Sequence, residues 1–163
     1  MTRAIVGIVD LAAIEYEVEE PRDEKWLFGR FRMYVRGEEI GNWDDVVTLN
    51  AVIAWWRSFL DSDTQRWDER LEGLGPTEVF ETLRDAAYSD HDGEELEAAF
   101  TRFHVNQLGM SSFDPFVVLL VEPPGQGQWL LWRRETGDDD VHDARLPAGT
   151  LQAIGSAFIR ELE

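Results

Sequence analysis

The stretch from Trp26 to Asp45, WLFGRFRMYVRGEEIGNWDD, constrains the fold more than any other part of the chain. Its side chains sort with a period of two, Leu27, Phe31, Met33 and Val35 on one face and Trp26, Phe28, Arg30, Arg32 and Tyr34 on the other, which is the pattern of a strand. Arg36-Gly37 then forms a two-residue hairpin loop, because glycine reaches the positive φ that such turns demand. This loop pairs Val35 with Glu38 and Met33 with Ile40, so Ile40 joins the apolar face, and it carries Trp43 opposite Arg30. One face is therefore expected to form core beneath helices. The other, with its interleaved aromatics and arginines, is either covered by a further layer or is a binding surface.

Upstream, residues 12–20 alternate Ile14, Tyr16 and Val18 with Glu15, Glu17 and Glu19, a half-buried strand. Antiparallel pairing with the hairpin places Glu15 and Glu17 opposite Arg30 and Arg32, which supports the register through cross-strand ion pairs. Downstream, Thr48 begins a helix with Leu49, Val52, Ile53, Trp56 and Leu60 at three- and four-residue intervals. A second, irregular helical piece is expected around Trp67 and Leu71. Gly75-Pro76 then opens a helix that buries Val79, Phe80, Leu83, Ala86 and Ala87. Residues 89–95 read as a loop, 94–100 as a short helix and 103–108 as a strand. The apolar run 116–121 reads as a central strand buried on both faces, returning through 129–134, with a further short strand at 141–146. From Gly149 a final helix presents Leu151, Ile154, Phe158 and Leu162, and Gly155 is expected to let it approach the sheet closely. This order predicts one α+β domain over residues 1–163, with a largely antiparallel sheet of about five to six strands, helices packed on it and a C-terminal amphipathic helix.

Composition narrows function mainly by exclusion. With no cysteine, disulfides and thiolate metal sites are ruled out. Residues 1–10 lack the features of a signal peptide and no apolar run approaches the roughly 20 residues of a membrane span, so a cytoplasmic protein without membrane contact is expected. The formal net charge of −18 repels nucleic acid and favours a basic protein partner. Between Asp61 and Glu97 thirteen acidic residues face three arginines, and Asp138, Asp139 and Asp140 form a second focus.

No motif carries catalysis. Asp61, Asp63, Gln65 and Glu72 fall at oxygen-donor positions of a calcium loop, but Arg66 occupies the position that requires glycine. His91, His104 and His142 share no helical ligand spacing. Gly125-Gln126-Gly127 precedes a strand, the context of a hairpin turn rather than of a phosphate loop, and Ser111 and Ser112 lack the setting of a nucleophile elbow. No cofactor, metal or catalytic residue is assigned.

The segments Ala13-Ile-Glu-Tyr-Glu, Trp26-Leu-Phe-Gly-Arg-Phe, and Gly37 to Trp43 with Asp44-Asp45 and Thr48-Leu49 resemble the opening of the immunity protein 42 family. The likeness covers about residues 12–60 and continues in general form in the later aromatic hairpin and final helix. It implies a small intracellular protein of a bacterial polymorphic toxin system, used in competition between bacteria, that binds and neutralises a toxin domain rather than performing catalysis. The expected partner is a cognate toxin domain of basic character. The expected contacts are Asp90, Asp92, Glu94, Glu95, Asp138, Asp139, Asp140 and Trp43. The alternative is a non-catalytic intracellular regulatory or scaffold module that binds another basic protein. The sequence leaves the oligomeric state open.

Overall fold

The computed structural model describes residues 2–19, 25–88, 101–136 and 140–163. Its first sheet has five strands: β1 (Thr2–Ile8), β2 (Ala12–Val18), β3 (Phe28–Val35), β4 (Glu38–Ile40) and β5 (Val47–Thr48). β1 to β4 lie in sequence order and β5 pairs with β3. The register matches the expectation from the sequence: Glu15 is opposite Arg32, Glu17 opposite Arg30, Met33 opposite Ile40 and Val35 opposite Glu38. Arg36 and Gly37 both take positive φ, 50° and 82°, which a primed hairpin turn requires.

Helix α1 (Leu49–Asp61) follows β5, and α2 (Pro76–Tyr88) begins at the proline. The second sheet is antiparallel, in the order β6 (Phe116–Val121), β7 (Gln128–Arg134), β8 (His142–Leu146), and α3 (Thr150–Leu162) closes the chain. The α+β expectation holds, with two sheets in place of one.

Two apolar clusters explain why the chain splits this way. In the larger, Ile14, Tyr16, Val18, Phe31, Met33 and Val35 of the first sheet pack with Val52, Trp56 and Phe59 of α1 and with Leu151, Ile154 and Phe158 of α3. The inner face of the second sheet joins them through Val118, Leu120, Leu130 and Trp132. In the smaller, its outer face, Val117, Leu119, Val121, Trp129 and Leu131, meets Val79, Phe80, Leu83 and Ala86 of α2. Strand β6 is thus buried on both faces, as its continuous apolar run implies.

Three local expectations are corrected. β6 is at an edge and β7 is central, because residues 104–106 rather than another strand cover the outer side of β6. The proposed strand at 103–108 is instead two 3-10 segments, Thr101–Phe103 and Asn106–Phe113, around one bridge from His104 to Leu119. Gly155 allows close approach to α1 rather than to the sheet: a Cβ there would lie 2.4 Å from Cε3 of Trp56. The expected loop at 89–95 and the whole of the expected helix at 94–100 lie outside the described residues.

Candidate functional site

Because Phe31, Met33 and Val35 point inward, the period of two sends Phe28, Arg30, Arg32 and Tyr34 to the opposite face of the first sheet. Glu15 and Glu17 of β2, Arg3 and Ile5 of β1 and Glu39 of β4 share that face through the strand register. At its centre Glu15 is only 4% exposed. Its Oε1 accepts from Arg32 Nε at 2.5 Å and from the Tyr34 hydroxyl at 3.3 Å, and its Oε2 accepts from Arg3 Nε at 3.2 Å and Nη2 at 3.1 Å. Arg32 also reaches Glu39 at 3.2 Å. A buried carboxylate is tolerated only with such pairing. Burial pushes the Tyr34 hydroxyl above its usual pKa, with Glu15 and Glu39 adding to the rise against the pull of Arg32, so it stays a neutral donor.

The two arginines that pair with Glu15 also hold Trp43. The guanidinium of Arg32 lies 4.6 Å and that of Arg3 4.9 Å from the Trp43 ring centroid. Arg30 Nη1 donates to the Trp43 carbonyl at 2.8 Å, so both ring and backbone are fixed. Cation–π contacts of this kind contribute roughly 0.5–2 kcal/mol each, more when water is excluded. Trp43 itself lies beyond β4, which stops at Ile40, yet it meets Arg30 as the extended register implied. On the same face Phe28 (42%) and Ile5 (49%) are exposed. A cleft of about 450 Å³ next to Trp43 is lined by Arg32, Glu39, Asn42 and Asp44 and, from the second sheet, by Phe116 and Arg134.

Within β1 to β4, Arg3, Arg30 and Arg32 balance Glu15, Glu17 and Glu39 in number, and with Glu19, next in the same alternation, this face stays close to neutral on a chain of net charge −18. Interfaces are enriched in Trp, Tyr, Phe and Arg, with a polar rim around them. The face carries Trp43, Tyr34, Phe28 and three arginines, with exposed Glu19 and Asp44 beside it. It offers preorganised apolar and cationic contact area.

Of the residues expected at the site from the sequence, Trp43 is at the centre of this face. Asp140 is exposed, two residues before β8. Asp90, Asp92, Glu94, Glu95, Asp138 and Asp139 lie outside the described residues. Among the acids of the 61–97 stretch that are described, Asp61, Asp63, Glu69, Glu72, Glu78 and Asp85 are exposed. Asp68 is not a free acid: hydrogen bonds from the Arg70 side chain, at 2.8 Å, hold its carboxyl down at about 2. Arg66, where a calcium loop would need glycine, turns inward to Glu122 at 3.1 Å and to the Arg102 carbonyl. Arg3 and the depth of Glu15 were not read from the sequence. No local period signals them, because Ala4, Ile5 and Val6 form an unbroken apolar run.

His104 supplies a pH dependence away from this face. Burial pushes its pKa below the usual histidine value, and its Nε2 is buried without a hydrogen-bond partner among the described residues, while the ring bonds the Leu83 backbone. The folded state therefore resists protonation more than the unfolded chain does. Its contribution is fully present above the unfolded pKa of about 6.5 and is lost as pH falls below it, with a slope of at most about 1.4 kcal/mol per pH unit. Urea titrations from pH 7.5 to 5 are expected to show this loss, and His104→Gln is expected to reduce it.

The family described as Immunity protein 42 matches residues 5–161, nearly the whole chain and well beyond the opening segments that resemble it. An uncharacterised protein of Pasteurella multocida (strain Pm70) is 43% identical over 51 residues, which cover 28% of this chain and 28% of that protein. The chain therefore aligns with little more than a quarter of the length of this relative. The crystal structure of CdiI from Burkholderia dolosa AUO158 superposes with a TM-score of 0.74 at 14% identity, covering 97% of this chain and 99% of that one. At that identity the likeness establishes a shared fold.

Proposed function

Because the chain belongs to the immunity protein 42 family, we propose that it binds and neutralises a cognate bacterial toxin domain by stoichiometric protein–protein contact, inside the cell that makes it. The observation that carries this reading is the near-neutral face around Trp43, built from aromatics and paired arginines on a strongly acidic protein. The toxin is a basic domain, drawn in by the net charge of −18 and seated on this face, with Trp43 as its anchor. The acids Asp90, Asp92, Glu94, Glu95, Asp138, Asp139 and Asp140 are further toxin contacts in this reading on the ground of their charge alone, which speeds and orients encounter more than it holds a complex. Inhibition follows from covering the toxin's working surface, and the immunity protein contributes no catalysis. The chain acts as one domain over residues 1–163.

Two measurements on the toxin encoded beside this gene test the reading. Trp43→Ala is expected to weaken the complex by about 2 kcal/mol or more, roughly 30-fold, with an unchanged circular dichroism spectrum. Raising salt is expected to slow association more than it speeds dissociation. An unchanged affinity for the Trp43 variant would remove this face from the interface. A toxin that neither binds nor is neutralised would remove the function.

A further inference from the structure

Sheets end in edges whose backbone N–H and C=O groups lack partners, and proteins shield such edges with charge, proline, short strands or a covering segment. Most of the edges among the described residues are shielded. β4 and β5 are three and two residues long. β6 is covered by residues 104–106, with the Val105 N–H donating to the Val118 carbonyl at 3.0 Å and Asn106 Oδ1 accepting from the Val118 N–H at 2.9 Å. β8 carries His142, Asp143 and Arg145, and Arg36 Nη2 donates to the Arg145 carbonyl at 2.6 Å.

Among the described residues β1 has none of these protections. It is seven residues long, TRAIVGI, contains no proline, and its one charge, Arg3, is committed to Glu15. Among the described residues no strand pairs with its outer side. Ile5 is 49% and Ile8 66% exposed. Alongside runs a groove of about 520 Å³ lined by Ile5, Val6, Gly7 and, from α3, Ala157, Arg160 and Glu161.

We propose that this edge receives an extended segment of the toxin domain as an added strand of the first sheet, an inference that rests on the immunity reading above. Main-chain hydrogen bonds along β1 would supply affinity, and side chains alternating between the Ile5 side and the α3 groove would supply specificity. The segment is apolar where it meets Ile5 and Ala157, with one anionic and one cationic side chain where it passes Arg160 and Glu161. A second copy of this chain is the wrong occupant, since two chains of net charge −18 repel whereas a basic partner is attracted.

Hydrogen exchange of the free protein and of its complex with the adjacent-gene toxin tests this. Amides on the outer side of β1 exchange fast in the free protein and are expected to slow more than tenfold in the complex, while those of β8 stay unchanged. Ile5→Lys places a charge at an exposed edge position, leaves the folded spectrum intact and is expected to weaken binding about tenfold or more, and because Ile5 also borders the Trp43 face this loss supports strand addition only together with the slowed β1 exchange. If the toxin binds and is neutralised with β1 exchange and Ile5→Lys affinity unchanged, the strand-addition inference is wrong and the immunity reading stands. If no complex forms, both are lost. Protection of β1 that grows with the concentration of this protein alone would assign the edge to a second copy and overturn the proposal.

Discussion

Glu15→Ala is expected to lower the stability of the free protein by about 3–5 kcal/mol, seen in urea as a lower midpoint with an unchanged slope. Glu15 is buried and is the common acceptor for Arg3, Arg32 and Tyr34. Its loss leaves Arg32, whose side chain is 14% exposed, with Glu39 alone, and leaves the Tyr34 hydroxyl without this acceptor. Most of the cost comes from charge left buried without its counter-charge. Replacing Glu15 and Arg32 together with apolar residues of similar volume is therefore expected to recover much of the loss. The same variants separate stability from binding, because Trp43 is held by Arg3 and Arg32 only while Glu15 positions them. The Glu15 and Arg32 double variant is expected to fold and still bind the toxin poorly.

Trp56→Ala is expected to cost about 3–5 kcal/mol, the range for removing a large aromatic from a core. Trp56 is fully buried where α1 meets α3, with its ring edge-on to Phe59 at 5.7 Å and its Nε1 donating to the Leu108 carbonyl at 3.0 Å. The cavity and the stranded carbonyl act together, so the upper half of that range applies. Gly155→Ala tests the same contact from the other side, since its methyl would sit on the indole. It is expected to destabilise by about 1–3 kcal/mol in the native background and by much less when residue 56 is leucine, a coupling that a double-mutant cycle in urea reads directly.

The elements legible in the sequence were those with an unambiguous local period. The register of β2, β3 and β4 was readable to the residue, because alternation fixed the faces and the two-residue turn fixed the pairing, although each strand ends sooner or starts later than its alternation suggests. α1, α2 and α3 followed from apolar spacing and from Pro76. β1 was not recognised: Ala4, Ile5 and Val6 break the alternation, and the strand shows its character only once β2 is beside it. The division into two sheets was equally hidden, since a run such as β6 looks the same whether helices or further strands bury its second face. The 3-10 segments after Thr101 are held by tertiary contacts, Asn106 bonding Phe113, Phe116 and Val118, which no local pattern announces. At the candidate site the sequence identified Trp43 and the Glu15–Arg32 pair. It did not show that Arg3 would complete the cluster, because that depends on β1. Charge drew attention to the acidic loops, but composition carries no information on where a near-neutral face will form within an acidic surface.

The most direct test of the account is a titration of toxin activity. A fixed amount of the toxin encoded beside this gene is assayed against increasing amounts of the purified protein. The account predicts that activity falls linearly and is abolished at one equivalent, and that Trp43→Ala requires a large excess to reach the same point. Inactivation by amounts far below one equivalent, progressing with time, would instead show that the protein acts catalytically, and full toxin activity at many equivalents would show that it does not neutralise this toxin.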